Sequence, residues 1–476
     1  MIQQVIDKYT SMSKPAKASL WFAVSNIVNK GIVFLTTPLF TRILSKEEYG
    51  IISLYSTWLA FLTIIITFNL ATGVFNKAMM RYEDDRDGYT SSSLTLMTIL
   101  VGIFFAVYFP LRQFWNSIFG LETIFVVMIY VEIFFSTTWD LYAIRKRFEY
   151  SYKTIVFVTI ISNILANIFS LFLTLKIPSH RAEARILGIL LTHVIIYGFF
   201  YVLILKNGKK YVVKTYWKFS INYNLPLIPH YLSQQVLNQS DRIMISKICG
   251  NADAGVYSLA YQLASAMQIL TNAIHVSFMP WCFQRIKDGG VKQIGKRAFQ
   301  IEASIGVICL VFSLFAPELI WILGGNEYYK SIYIVPPVSM SILFITIYSF
   351  FGNFEFYYER TKIVMIASGI VALANIILNL IFIPICGFIA AGYTTLFCYI
   401  IYSFVHYIFV KRICKENGIP SPFNEKLIWG YSMMLVFVSI MVSFLYKFIL
   451  LRYLIILTLL FVLFLFVRKS KKILFS

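Results

Sequence analysis

Two cations sit inside stretches otherwise apolar enough to cross a bilayer: Lys30, in WFAVSNIVNKGIVFLTT, and Arg242, which follows Asp241 in QQVLNQSDRIMISK. At 100° per residue, Ser19, Asn26, Lys30 and Thr37 fall within about 40° of one another, with Asn29 flanking the stripe. His230, Gln234, Asn238 and Asp241 likewise share a face about 80° wide, with Arg242 beside it. A lysine near mid-span costs about 2.5–3.5 kcal/mol on insertion scales, so Lys30 is expected to face a bundle interior or a water-filled cavity. Positive charge held at low dielectric asks for an anion. Amides beside it suit sugar and phosphate oxygens. The competing reading pairs Lys30 with an acid on a neighbouring helix purely to hold the bundle together.

Two further groups invite the same question. Asp241 and Arg242 are sequence neighbours whose side chains diverge by about 100°, so they cannot simply neutralise each other, and at least one needs a partner elsewhere. Glu132, Ser136 and Asp140 recur at intervals of four, on one helix face. A mid-span carboxylate either loads a proton or serves as the structural partner of Lys30, and both readings of Glu132 and Asp140 stay open. Asn163 with Asn167, and Asn375 with Asn379, are spaced to bond between helices.

No Walker loop, dinucleotide fingerprint, HExxH or nucleophile elbow is present, and the histidines stand apart from one another. The six cysteines are scattered singly, with no metal or disulfide spacing. No cofactor site is expected, and the loops are too short for a catalytic domain. The formal charge of +20 is confined to short loops, which topology signals alone produce, so a nucleic-acid partner is not expected.

These residues must be positioned by membrane helices. With 59% hydrophobic and 13% charged residues, the chain is expected to be an all-α integral membrane protein. Apolar runs of about twenty residues recur, without the alternation a barrel needs. Fourteen spans are expected at 17–41, 50–72, 92–111, 117–141, 154–176, 184–205, 222–246, 254–279, 298–323, 331–352, 362–384, 388–410, 427–446 and 451–467. With the N terminus in the cytoplasm, thirty Lys and Arg fall in cytoplasmic segments and ten in external ones, which places both termini inside. The polar start leads into a span too long for a cleavable signal, so the first helix is expected to direct insertion.

The chain also echoes itself. At an offset of 205 residues, RILSKEEYGIISL from Arg42 meets KICGNADAGVYSL from Lys247, and IIYGF from Ile195 meets IIYSF from Ile400. At 212 the Asn163 and Asn167 pair meets Asn375 and Asn379. At 204 Arg81 meets Arg285, putting an arginine at the inner mouth of the second helix of each half. Two parallel six-helix repeats follow: an N-lobe over 1–205, a linker over 206–220 with five lysines, and a C-lobe over 221–411. Residues 412–476 add two peripheral helices and a tail. The linker reads as an interfacial connector on the cytoplasmic leaflet, a topology determinant in preference to a lipid sensor. Substrate is expected in a central cavity between the lobes, lined by the polar faces of the first and seventh helices. Pro226 and Pro229 are expected to bend or unwind the start of the seventh, and Pro38 to kink the outer end of the first.

PLFTRILSKEEYG from Pro38, with Asp241-Arg242 followed by Gly255-Val-Tyr257, resembles the polysaccharide flippases of the Wzx type, within the multidrug/oligosaccharidyl-lipid/polysaccharide exporter superfamily. The resemblance covers nearly the whole chain. It implies an alternating-access carrier, not an enzyme, in the bacterial inner membrane. Such a carrier moves undecaprenyl-pyrophosphate-linked oligosaccharide units outward for O-antigen or capsule assembly, surrounded by membrane lipids and with a polysaccharide polymerase and chain-length regulator as partners. The site reading agrees: Lys30 and Arg242, with Arg81 and Arg285, would meet the pyrophosphate, while Asn26, Asn29, Gln234, Asn238 and Asp241 would meet polar oxygens. Glu132 and Asp140 would couple an ion. Relatives that flip the peptidoglycan precursor carry more arginines in their first two helices, which favours an O-unit or capsular substrate. A multidrug antiporter shares the fold, but a cationic cavity suits cationic drugs poorly. A glycan polymerase or ligase usually needs a large external loop, which this sequence lacks.

Overall fold

The computed structural model describes residues 9–474, with the side chains of residues 361–363, 365 and 462–474 outside that description. The two chain ends, expected to be cytoplasmic, lie at residues outside the described set. Helices and turns make up the described residues, with no strand among them. They gather into two compact units, one closing at Gln235 and the other opening at Val236.

The first unit contains α1 (Lys14–Ile43), α2 (Lys46–Ile66), α3 (Val74–Arg81), α4 (Arg86–Tyr108), α5 (Arg112–Phe119), α6 (Thr123–Arg147), α7 (Tyr152–Lys176), α8 (Arg181–Gly208) and α9 (Lys214–Asn224). α10 (Ile228–Cys249) begins in this unit and continues into the second. The second unit adds α11 (Asn251–Ser265), α12 (Met267–Lys287), α13 (Val291–Leu314), α14 (Ala316–Gly324), α15 (Val335–Tyr357), α16 (Thr361–Cys386), α17 (Ile389–Glu416), α18 (Glu425–Leu445) and α19 (Ile449–Leu474).

Eleven helices among the described residues are long and apolar enough to cross a membrane. The three expected spans outside that set each have a physical reason. α10 reads SQQVLNQSDR through its middle and is too polar. The eighth is divided at Ala266 into α11 and α12. The last is apolar over Ile449–Phe461, beyond which the side chains are outside the described residues. The prolines of the seventh act as expected: a short 3-10 turn, Leu225–Leu227, separates α9 from α10. Pro38 lies within α1, near whose end Arg42 donates to the Pro38 carbonyl at 2.8 Å.

Local chemistry explains the starts and contacts. Ser45 and Glu48 form a reciprocal capping box that opens α2, with bonds of 3.1 and 2.7 Å. α7 and α8 meet backbone to backbone at Gly188, where an added Cβ would lie 2.4 Å from the Ser170 Cα. Only glycine fits there. At that crossing the Ser170 hydroxyl donates to the Arg185 carbonyl at 2.7 Å.

The second span is broken in the first unit also. α2 ends at Ile66, Phe68 and Asn69 take positive φ of 49° and 53°, and α3 restarts at Val74. Buried Asn224 of α9 satisfies the break: its amide donates to the Phe68 and Asn69 carbonyls at 3.0 and 2.9 Å, and its oxygen accepts from the Val74 amide at 3.2 Å. Trp217, Phe219, Ile221 and Tyr223 pack against Leu70, Val74 and Leu96. The end of the connector is thereby built into the first unit.

The last two helices are held to the second unit by polar ties. Ser432 of α18 donates to Glu302 of α13 at 2.6 Å, and Arg452 of α19 pairs with Glu318 of α14.

Candidate functional site

α1 leaves most of its polar stripe exposed, Thr37 alone of its four residues being buried. Asn26 and Lys30 are exposed, and Asn29 is half-buried. Asn163 of α7 donates to Asn29 at 3.2 Å, and Asn167 donates back to the Asn163 carbonyl at 2.8 Å. The spaced asparagines therefore bond between helices, and the second unit repeats the device. There Asn379 donates to Asn375 at 3.3 Å, and Ser240 of α10 reaches Asn375 at 3.5 Å. Each unit uses its asparagine pair to secure the polar helix next to it. The structure shows no ion pair for Lys30 among the described residues, and its suggested partner Glu132 is engaged elsewhere.

α10 divides its charges as the 100° argument requires. Asp241 is 1% exposed and turns into the second unit, accepting the Tyr257 hydroxyl and, at 2.9 Å, the backbone amide of Arg242. Arg242 is half-buried, lies 4.4 Å from the centre of the Tyr261 ring and donates to the Asn238 carbonyl at 3.1 Å. Tyr399 donates to the Asn238 side chain at 3.0 Å. Asp241 thus acts as an anchor for α11, and Arg242 is the braced cation. Gln234 is half-buried one turn before Asn238.

The repeated arginines occupy matching places. Arg81 ends α3, and Arg285 lies in the last turn of α12. Arg81 is exposed and sits 4.7 Å from the Phe219 ring centre, while Arg285 is half-buried near Trp281 at 5.9 Å.

Glu132 is buried and bonds His193 of α8 at 2.7 Å. Ser136 turns back onto the Glu132 carbonyl at 2.7 Å, and Asp140 is exposed on the same helix. The second unit holds a counterpart: Glu355 of α15 bonds His406 of α17 at 2.7 Å, both side chains fully buried. Each pair joins the fourth and sixth spans of its repeat. Sequence reasoning missed both, because it treats lone histidines as structure. The signal was present: His193 and His406 are 213 residues apart, against 212 for the asparagines.

Two repeated sets of long apolar helices, with cations and amides on the first helix of one set and in α10, define a helical multi-pass membrane protein. Solved structures share the fold. "Lipid II flippase MurJ, inward closed conformation" superposes with a TM-score of 0.70 at 16% identity, covering 96% of this chain and 100% of that one. An inward-facing multidrug resistance MATE family transporter gives 0.60 at 12% identity, covering 83% and 95%. A superfamily transporter from Pyrococcus furiosus, described by the reverse polarity of its binding pocket, gives 0.57 at 12% identity, covering 84% and 96%. By sequence, "Lsg locus putative protein 1" of Haemophilus influenzae is 26% identical over 403 residues, covering 79% of this chain and 95% of the relative. The polysaccharide biosynthesis protein family model matches residues 16–285, more than half of the chain, and the MatE family model matches residues 226–381. The chain belongs to the polysaccharide biosynthesis protein family.

Proposed function

We propose that the protein moves undecaprenyl-pyrophosphate-linked oligosaccharide units, for O-antigen or capsule, from the cytoplasmic to the periplasmic leaflet by alternating access. It acts as a carrier and performs no covalent chemistry. The observation that carries this reading is Lys30: an exposed cation in a membrane-length helix, with amides on its own face and no ion pair among the described residues. A pyrophosphate meets that unanswered charge, and Asn26 offers hydrogen bonds to sugar or phosphate oxygens. Arg242, braced by Tyr261 and Asn238, supplies a second cation. Coupling is assigned to Glu132, whose imidazole partner His193 could take and return a proton as the carrier cycles.

The test is surface polysaccharide in a flippase-deleted strain complemented at matched membrane levels. Lys30→Ala and Arg242→Ala should each abolish polymer, while Lys30→Arg keeps partial transport because the cation remains. Normal polymer from Lys30→Ala removes the anion site. The proposed inner-membrane topology has its own check: reporter fusions at Gly50, Gly250 and Gly325 should read periplasm, and those at Gly208 and Gly289 cytoplasm. One reversed signal breaks the parallel arrangement of the repeats.

A further inference from the structure

α9 is only 11 residues long, too short to cross a bilayer, and its two faces differ. Ser220 and Asn224, four residues apart, are buried against the first unit. Lys214, Lys218 and Asn222, again four apart, are exposed. Across from them α3 presents Lys77 and Arg81. Together the two helices form an open pocket of about 460 Å³, lined by Arg81, Tyr82, Lys218, Phe219, Asn222 and Tyr223.

The cations of this pocket rest on rings and not on acids. Arg81 lies over Phe219 at 4.7 Å and beside Tyr82 at 5.7 Å, and Lys77 lies over Tyr223 at 4.9 Å. Neither they nor Lys218 form an ion pair among the described residues. The nearby Asp85 is occupied by Lys210 at 2.7 Å and by the Tyr216 hydroxyl. The second unit offers a control in the same molecule. A groove of about 390 Å³ there also contains two arginines, Arg360 and Arg412, but both are bonded to Glu416, at 3.0 and 2.9 Å. One cationic pocket holds both of its arginines in ion pairs with an acid. The other does not.

Large apolar side chains that adjoin the pocket's residues in sequence are exposed. Met80, Tyr211, Val212 and Leu225 are all at least half exposed, with Met80 at 71%. In water such exposure is unfavourable, but at a bilayer surface these side chains enter the acyl boundary while the lysines and arginine stay at headgroup depth. We propose that this pocket binds the phosphate of an anionic phospholipid in the leaflet on which the connector lies. Arg81 and Lys218 contact the phosphate, Asn222 donates to its ester oxygens, and the rings hold the cations in place. The lipid is a resident of the membrane and not the transported molecule, so the site does not rest on the flipping reading.

The probe is spin-labelled phosphatidylglycerol in phosphatidylcholine nanodiscs holding the full-length protein, with the motionally restricted fraction read by electron spin resonance. Wild type should retain phosphatidylglycerol over spin-labelled phosphatidylcholine. Arg81→Gln or Lys218→Gln should each lower that preference about fivefold, the contribution of one basic residue at a membrane surface. Arg360→Gln, in the ion-paired groove, should leave it unchanged. Having two independent variants guards against misfolding of either, which melting in detergent reveals. Equal retention by wild type and both variants, or an equal loss from Arg360→Gln, overturns the site. Displacement by millimolar inorganic phosphate shows that the acyl chains are not recognised and also overturns it. One-for-one displacement by undecaprenyl pyrophosphate reassigns the pocket to the substrate.

Discussion

The glutamate–histidine pair of the first unit and that of the second join equivalent spans at the same 2.7 Å distance, yet only one is sealed. Glu355 and His406 are at 0% exposure, with both carboxylate oxygens within 2.7 Å of the same ring nitrogen. Glu132 and His193 are at 8% and 17%, halfway along their helices, and His193 stacks on Tyr197 at 4.6 Å. A proton needs a path to do work. The sealed pair has none and functions as a weld between α15 and α17, whereas the partly open pair can exchange with its surroundings. Under the proposed coupling, the same interaction repeated in a duplicated fold would serve structure in one copy and transport in the other.

The strongest challenge to this contrast is His406→Ala. Leaving Glu355 buried without its partner should cost about 3–5 kcal/mol, seen as a clear drop in melting temperature in detergent, and His193→Ala should cost distinctly less. Equal losses would make both pairs structural. A smaller change in stability, about 1 kcal/mol, is expected of Glu132→Gln, because the side chain keeps its shape and a hydrogen bond. Its effect should appear in function: proteoliposome transport should lose its dependence on a pH gradient, whereas Glu355→Gln should leave that dependence intact in whatever protein folds. Glu149, just past α6, tests the exposed extreme. Burial pushes its carboxyl up, but the hydrogen bonds from Lys146 and Arg145 outweigh this and hold it below its ordinary value of 4.5. The pair contributes above that pH and its contribution is lost as pH falls through the lowered value. Glu149→Gln should destabilise by less than about 1 kcal/mol at pH 7 after screening, with the difference from wild type vanishing in acid.

The fold was legible because bilayer thickness sets helix length and the duplication repeats its landmarks. The asparagine pairs, the polar face of α10 and the matched arginines all emerge from spacing alone. The break at Phe68–Gly73 is not read as one from the sequence: TFNLATG, with its Asn, two Thr and Gly, passes for the end of a span, and the group that satisfies it, Asn224, lies about 150 residues away. For the site, spacing identified which cations lack a sequence-local partner. It could not distinguish Asp241, which turns inward to Tyr257, from Arg242, because a helical wheel gives direction and not what waits there. The histidines escaped for the same reason. A single imidazole acquires meaning only from a carboxylate on another helix.

The Asn224 clamp has a consequence for how the chain is made. The carbonyls of Phe68 and Asn69 enter the membrane during synthesis long before the side chain that will satisfy them, which follows 156 and 155 residues later. Until then the second span must keep its gap near water or against a chaperone, because an unanswered carbonyl in hydrocarbon costs several kcal/mol. The ribosome therefore has to finish all six spans of the first unit, and the connector after them, before that unit can close. A fragment stopped at Gly208 remains an assembly intermediate, and one carried through Gln235 contains every group the closure needs.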